Sequence, residues 1–179
     1  MKHRHIIVVL TAALLLGSCA FPVESEHAIA PVETAEIALY ARDVHPLLEA
    51  SCATLDCHGS DRHALQLFAE TGRRASATYR TTPAMLVQPD ELEANVRALR
   101  VVDEGEPDIE RGMVLRKPLA LSEGGVAHVG RALWANRDDP AYVCLRAFLL
   151  REGETPAAHD ACVAAYEKVK LPDRPAPPL

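Results

Sequence analysis

Cys52-Ala53-Thr54-Leu55-Asp56-Cys57-His58-Gly59 is the stretch on which the reading of this chain turns. Two cysteines followed at once by a histidine supply the chemistry of covalent haem attachment. Each thiol adds to a vinyl group of the porphyrin, and the adjacent imidazole then stands ready to bind iron from one face. The usual spacing is C-x-x-C-H, whereas four residues separate the cysteines here, a longer variant. Two other readings use the same residues. Cys52 and Cys57 could close a small-loop disulfide, leaving His58 as a solvated turn residue, or the three could form a Cys/His metal site. The last is disfavoured outside the cytoplasm, where thiolates oxidise.

The N-terminus sets the compartment. Lys2 and Arg4 precede an apolar run from Ile6 to Leu16, broken only by Thr11, which closes on Leu16-Gly17-Ser18-Cys19. That run is too short to span a bilayer and has the form of a secretory signal. The small residues before Cys19 resemble a bacterial lipobox, which implies that residues 1–18 are removed and Cys19 is lipidated. An ordinary cleavage site is the alternative. Ala20, in place of Asp, follows the cysteine, which by the same resemblance favours the outer over the inner membrane. The expected location is therefore a membrane surface facing the periplasm.

Five cysteines would leave one thiol unpaired in an exported protein. If Cys19 carries lipid and Cys52 and Cys57 carry haem, Cys144 and Cys162 remain as one disulfide, closing a loop of about 18 residues worth on the order of 3 kcal/mol. A Cys52–Cys57 disulfide accounts for all five equally well. Removing the signal takes Lys2 and Arg4 from 19 basic residues, leaving 17 against 25 acidic, a net charge of −8. Such a surface argues against nucleic acid and for a basic docking partner.

Residues 19–35, with Pro22, Pro31 and scattered Glu, read as a flexible tether. The last eight residues, 172–179, hold four prolines and read as an extended Pro-rich tail. One domain is expected between them, over 36–171, with no internal repeat and hence one haem. Its pattern is mainly α with long loops. Ile37, Tyr40, Ala41 and Val44 recur at helical spacing, and Leu47 and Leu48 continue the stripe, with a kink or restart expected at Pro46. Asp90 and Glu93 read as a capping pattern before the stripe Leu92, Val96 and Leu99. Asp139-Pro140 starts a helix with Val143, Ala147 and Leu150 inward, flanked by Cys144 and Phe148. A last helix is expected from about His159, carrying Cys162, Tyr166 and Val169. Aromatic residues make up only 4% of the chain, and a buried porphyrin would replace the apolar area they normally supply.

Taken together, Asp43-Val44-His45-Pro46-Leu47-Leu48 leading into Cys52…Cys57-His58-Gly59 resembles the N-terminal helix and attachment site of bacterial c-type cytochrome domains with an expanded cysteine gap. Leu115-Arg116-Lys117-Pro118-Leu119 and Gly124-Gly125-Val126-Ala127-His128 resemble the distal half of such domains, and Asp139-Pro140-Ala141-Tyr142 into Leu145 their final helix. The similarity covers roughly residues 40–151. It implies a cytochrome c-like helical domain whose terminal helices pack across each other beside one covalent haem c. Cys52 and Cys57 would be its thioether anchors, His58 the proximal iron ligand, and a later loop the source of a distal ligand. The four-residue gap and the extra Cys144 and Cys162 depart from the family pattern.

His128 is the first choice for that distal ligand, because glycines around it let the backbone approach a flat ring. Met113 and Met85 are the alternatives, since thioether ligation is common and raises the potential relative to a second imidazole. His45, His63 and His159 read as solvated or capping residues. Arg116 and Lys117 read as surface charges, with neutralisation of haem propionates as the alternative. The functional expectation is a membrane-tethered monohaem cytochrome carrying single electrons between periplasmic or membrane redox proteins. No nucleophile–base spacing points to an enzyme. The alternative function is a disulfide-stapled helical lipoprotein with a binding or structural role and no haem. An open distal face would instead permit sensing or peroxide chemistry.

Overall fold

Pro46 decides how the first helical stretch is built. It has no amide to donate and would collide with the carbonyl four residues back inside a regular helix. The computed structural model, which describes residues 30–81 and 86–170, resolves this with a widened turn. Helix α1, Thr34–Leu39, passes into a π-helical turn, Tyr40–Val44, and α2, His45–Ser51, starts afresh with Pro46 in its first turn. The His45 amide bonds the Tyr40 carbonyl five residues back, which is the π signature. The expected restart at Pro46 is thus made by one wide turn. The signal, Cys19, most of the tether, Met85 and the Pro-rich tail lie outside the described residues. By its contacts the chain divides into 1–30 and 31–179.

The wide turn carries a charge inward. Tyr40, Asp43 and Val44 are all buried. Asp43 takes a bidentate pair from Arg42 (2.8 and 2.7 Å) and a third hydrogen bond from the His159 Nδ1 at 2.9 Å. Burial pushes the Asp43 carboxyl upward, but the hydrogen bonds from Arg42 and His159 outweigh it and hold the group below its usual value. His159 is therefore a partner of a buried carboxylate and not a free surface residue. His45 is likewise buried, beside the Tyr40 ring and 3.6 Å from Glu49.

Helix α3 spans Pro89–Val102 and α4 Met113–Arg116; α5, Pro140–Leu149, and α6, Pro156–Val169, form a hairpin. The fold is mainly α, and among the described residues only two isolated β-bridges occur. The α3 cap lies two residues earlier than the sequence suggested: Gln88 and Glu91 form the capping box, and Glu93 pairs with Arg97 instead. The stripe itself holds, with Val96 and Leu99 buried and Leu92 partly so. Asp139 caps α5 by accepting from the Ala141 amide; Ala147, Cys144 and Phe148 are buried as expected, joined by Ala141 and Leu145, while Val143 is exposed and Leu150 only partly covered. Helix α6 starts three residues before His159, capped by Thr155. Cys144 and Cys162 are disulfide-bonded and join α5 to α6. Tyr40 meets Phe148 ring to ring at 5.7 Å, which packs the first helical stretch against α5.

Between α2 and α3 the described chain is irregular apart from a 3-10 turn, Ala77–Thr81, and helix side chains satisfy part of its backbone. The Asn95 amide brackets Phe68, accepting from its N–H at 2.7 Å and donating to its carbonyl at 2.9 Å. Glu49 accepts from the Glu70 amide at 2.8 Å. Glu91 accepts from the Ala75 and Gln88 amides and from Arg74, with both side chains of that ion pair at most 1% exposed.

Two outcomes follow. Glu91→Ala would leave the Arg74 guanidinium buried without its carboxylate, an expected loss of about 3–5 kcal/mol in chemical denaturation. Asp43, ionised more readily in the folded protein than in the unfolded chain, contributes stability above its ordinary value of 3.8 that is lost as pH falls through the lowered folded value. Acid unfolding followed by circular dichroism should therefore show a shallower pH slope below 3.8 in Asp43→Asn than in the parent.

Candidate haem site

The motif loop is closed by its own backbone. The Leu48 carbonyl receives both the Cys52 and Ala53 amides, and the His58 amide returns to the Cys52 carbonyl at 3.0 Å, so six residues fold back onto the end of α2. Gly59 and Gly72 then pass over the Ala53 carbonyl. A Cβ on either would lie 2.0 or 2.4 Å from that oxygen, so both positions require glycine. Leu67 bonds the His58 carbonyl at 2.7 Å, turning the next segment back over the histidine.

That turn fixes the imidazole. His58 Nδ1 lies 3.0 Å from the Leu65 carbonyl. A carbonyl can only accept, so Nδ1 carries the proton and Nε2 holds a free lone pair. Burial lowers the His58 pKa, the Leu65 hydrogen bond opposes this, and His128 and His63 add to the lowering, so the neutral, ligating form is favoured. Cys52 and Cys57 are free thiols, Cys57 exposed and Cys52 half-buried. Burial raises the Cys52 thiol, against a contact to Ser51 Oγ at 3.4 Å.

Seventy residues further on, a second loop is tied at its base. The Leu133 and Trp134 amides both bond the Pro118 carbonyl, Ala120 bonds Trp134, and Val126 bonds Arg116. Gly125 runs against the Leu119 carbonyl, where a Cβ would lie 2.0 Å away. Arg116 donates to the Gly124 carbonyl at 2.9 Å and Lys117 to that of Ala127 at 2.8 Å. These two cations therefore grip the loop, a role not legible from the sequence.

The loop brings His128 to His58, with ring centres 6.1 Å apart and planes within 10° of parallel. Stacked rings in van der Waals contact would be closer. Two imidazoles sharing one iron from opposite faces have centres roughly 6 Å apart, given metal–nitrogen bonds of about 2 Å and the ring radii. The His128 Nδ1 is buried without a hydrogen-bond partner, and an orphaned buried nitrogen calls for a ligand or water. His63 also adjoins His58, at 5.7 Å but tilted by 64°. Met113 opens α4 with its side chain 43% exposed and its amide bonded to Asp103. Apolar side chains next to the motif residues face outward: Leu55, between the cysteines, is 56% exposed, and Val129, beside His128, is 90% exposed. The donor set, the spacing of the two imidazoles and the orphaned nitrogen fit an iron porphyrin.

A separate cavity of about 380 Å³ lies beside the α5–α6 hairpin, lined by Glu110, Arg137, Tyr142 and Arg146 among others. Both guanidinium groups are engaged by the one carboxylate of Glu110. No family model matches the chain, and neither a curated protein nor a solved structure is significantly similar to it.

Because Ala53 O leaves no space at position 59, Gly59→Ala should lower the melting temperature by several degrees and reduce the yield of haem-bearing protein, read by thermal circular dichroism and haem absorbance. An Ala substitution at Gly105, where φ is 87° but no atom lies within 4 Å, should cost stability through backbone strain while leaving haem yield unchanged, which separates the two readouts.

Proposed function

We propose that this chain is a monohaem c-type cytochrome, held to the outer membrane by lipid on Cys19 and carrying single electrons between periplasmic redox partners. One observation carries the reading. A histidine in a C-x4-C-H loop, its Nδ1 proton committed to a carbonyl, has a histidine from a distant loop beside it, ring centres 6.1 Å apart and planes near parallel. The iron of a bound haem gains and loses one electron, and an all-imidazole ligand set favours a lower potential than imidazole with Met.

The chain's own residues would do the rest. Cys52 and Cys57 would tether the porphyrin edge through thioethers. His58 would ligate the iron, its ring held by the Leu65 carbonyl, a contact that also raises ligand basicity. His128 would be the second protein ligand. Leu55 and Val129 would lose their exposure under the porphyrin, which supplies the burial that the sparse aromatics do not. The free state of Cys52 and Cys57, against the bonded Cys144–Cys162 pair, favours this reading over the haem-free lipoprotein. Among the described residues no helix is long and apolar enough to cross a membrane; attachment through lipid on Cys19 rests on the lipobox resemblance. Electron carriage needs no substrate pocket, and no catalytic residues are assigned.

Expression with a haem-attachment system, followed by denaturation, tests the proposal. One haem per chain should stay with the polypeptide, and Cys52→Ser together with Cys57→Ser should abolish it. Colourless protein with Cys52 and Cys57 bridged to each other would return the chain to the disulfide-stapled lipoprotein.

A further inference from the structure

The loop that carries His128 is secured unevenly. From Ala127 to Leu133 every residue is exposed except His128 itself. Among the described residues, no backbone amide from Ala127 to Ala132 donates a hydrogen bond; the ladder stops at Val126 and resumes at Leu133. Gly130 takes a positive φ of 105° with no atom within 4 Å of a Cβ there, so it has backbone freedom and no packing. Across this arm one tie remains, the Lys117 ammonium on the Ala127 carbonyl at 2.8 Å, one residue from the histidine. His58, by contrast, is enclosed by backbone bonds and two space-filled glycines. Segments with few buried contacts open at low free energy.

Building on the haem reading, we propose that His128 is a displaceable ligand on an arm latched by Lys117, and that lifting this arm opens the distal face to a small neutral diatomic molecule such as carbon monoxide or nitric oxide. The exchange breaks one bond to an imidazole nitrogen and forms one to the diatomic, with no electron transferred. His58 stays bound throughout. Lys117 acts as a positioning residue through the Ala127 carbonyl.

The test uses the ferrous holoprotein and carbon monoxide as the probe. Because arm release limits access, losing one hydrogen bond of ordinary worth should speed carbon monoxide association about five- to tenfold in Lys117→Ala. Lys117→Arg, which keeps a donor, should stay near the parent rate, and His128→Ala should bind fastest. Circular dichroism unchanged across the set would show that the helices are intact. Equal rates in Lys117→Ala and parent, with His128→Ala still altering the iron spectrum, would overturn the latch and leave the cytochrome reading standing. A parent protein without covalent haem would overturn both. A His128→Ala spectrum identical to the parent would overturn the ligand assignment and the latch together, while leaving covalent attachment intact.

Discussion

The buried carboxylate of Glu91 collects an arginine and two backbone amides, and much of the irregular part of this fold depends on that one group. A long segment without helix or strand would leave its amides and carbonyls unsatisfied if it lay against a core. Here the helices supply the missing partners from their side chains. Asn95 brackets Phe68 as a neighbouring strand would, Glu49 takes Glu70, and Glu91 takes Ala75 while capping its own helix. A buried ion pair is weak evidence for added stability, since desolvation offsets much of its attraction. Its clearer effect is to fix the position of the segment that returns over His58.

The candidate site combines two kinds of constraint. The first is local: hydrogen bonds among residues 48–67 and the close passage of Gly59 and Gly72 over one carbonyl orient His58 with its lone pair free. The second is long-range: the loop bearing His128 is held from Pro118 and Trp134, in a part of the chain far along the sequence. The same division explains the difference in how firmly the two histidines are held. One is embedded in a hydrogen-bonded turn, and the other rides on an exposed arm.

Polar groups inside the remaining core follow one rule. Asp43 enters the interior because the π turn gains a residue ahead of Pro46, and it is kept ionised there by Arg42 and His159. That contact ties the first helical stretch to α6, which the Cys144–Cys162 disulfide in turn binds to α5. Helix ends, buried carboxylates and the covalent bond thus hold the two ends of the described domain together.

By itself the sequence determined the mainly helical class, the break at Pro46, the Asp139 cap and the buried pair Val96 and Leu99, and it marked the C-x4-C-H residues as a candidate site. Each of these rests on spacing or on chemistry confined to a few neighbours. The outward position of Val143 on α5, which residue caps α3, and the burial of Asp43, His45, Glu91 and Asn95 were decided only in three dimensions, because they depend on partners 16 to 116 residues away or on a local change of helical pitch. The approach of His128 to His58 belongs to the same group. Its residue type and glycines marked it as a candidate, but only packing of a distant loop sets a ring-to-ring distance.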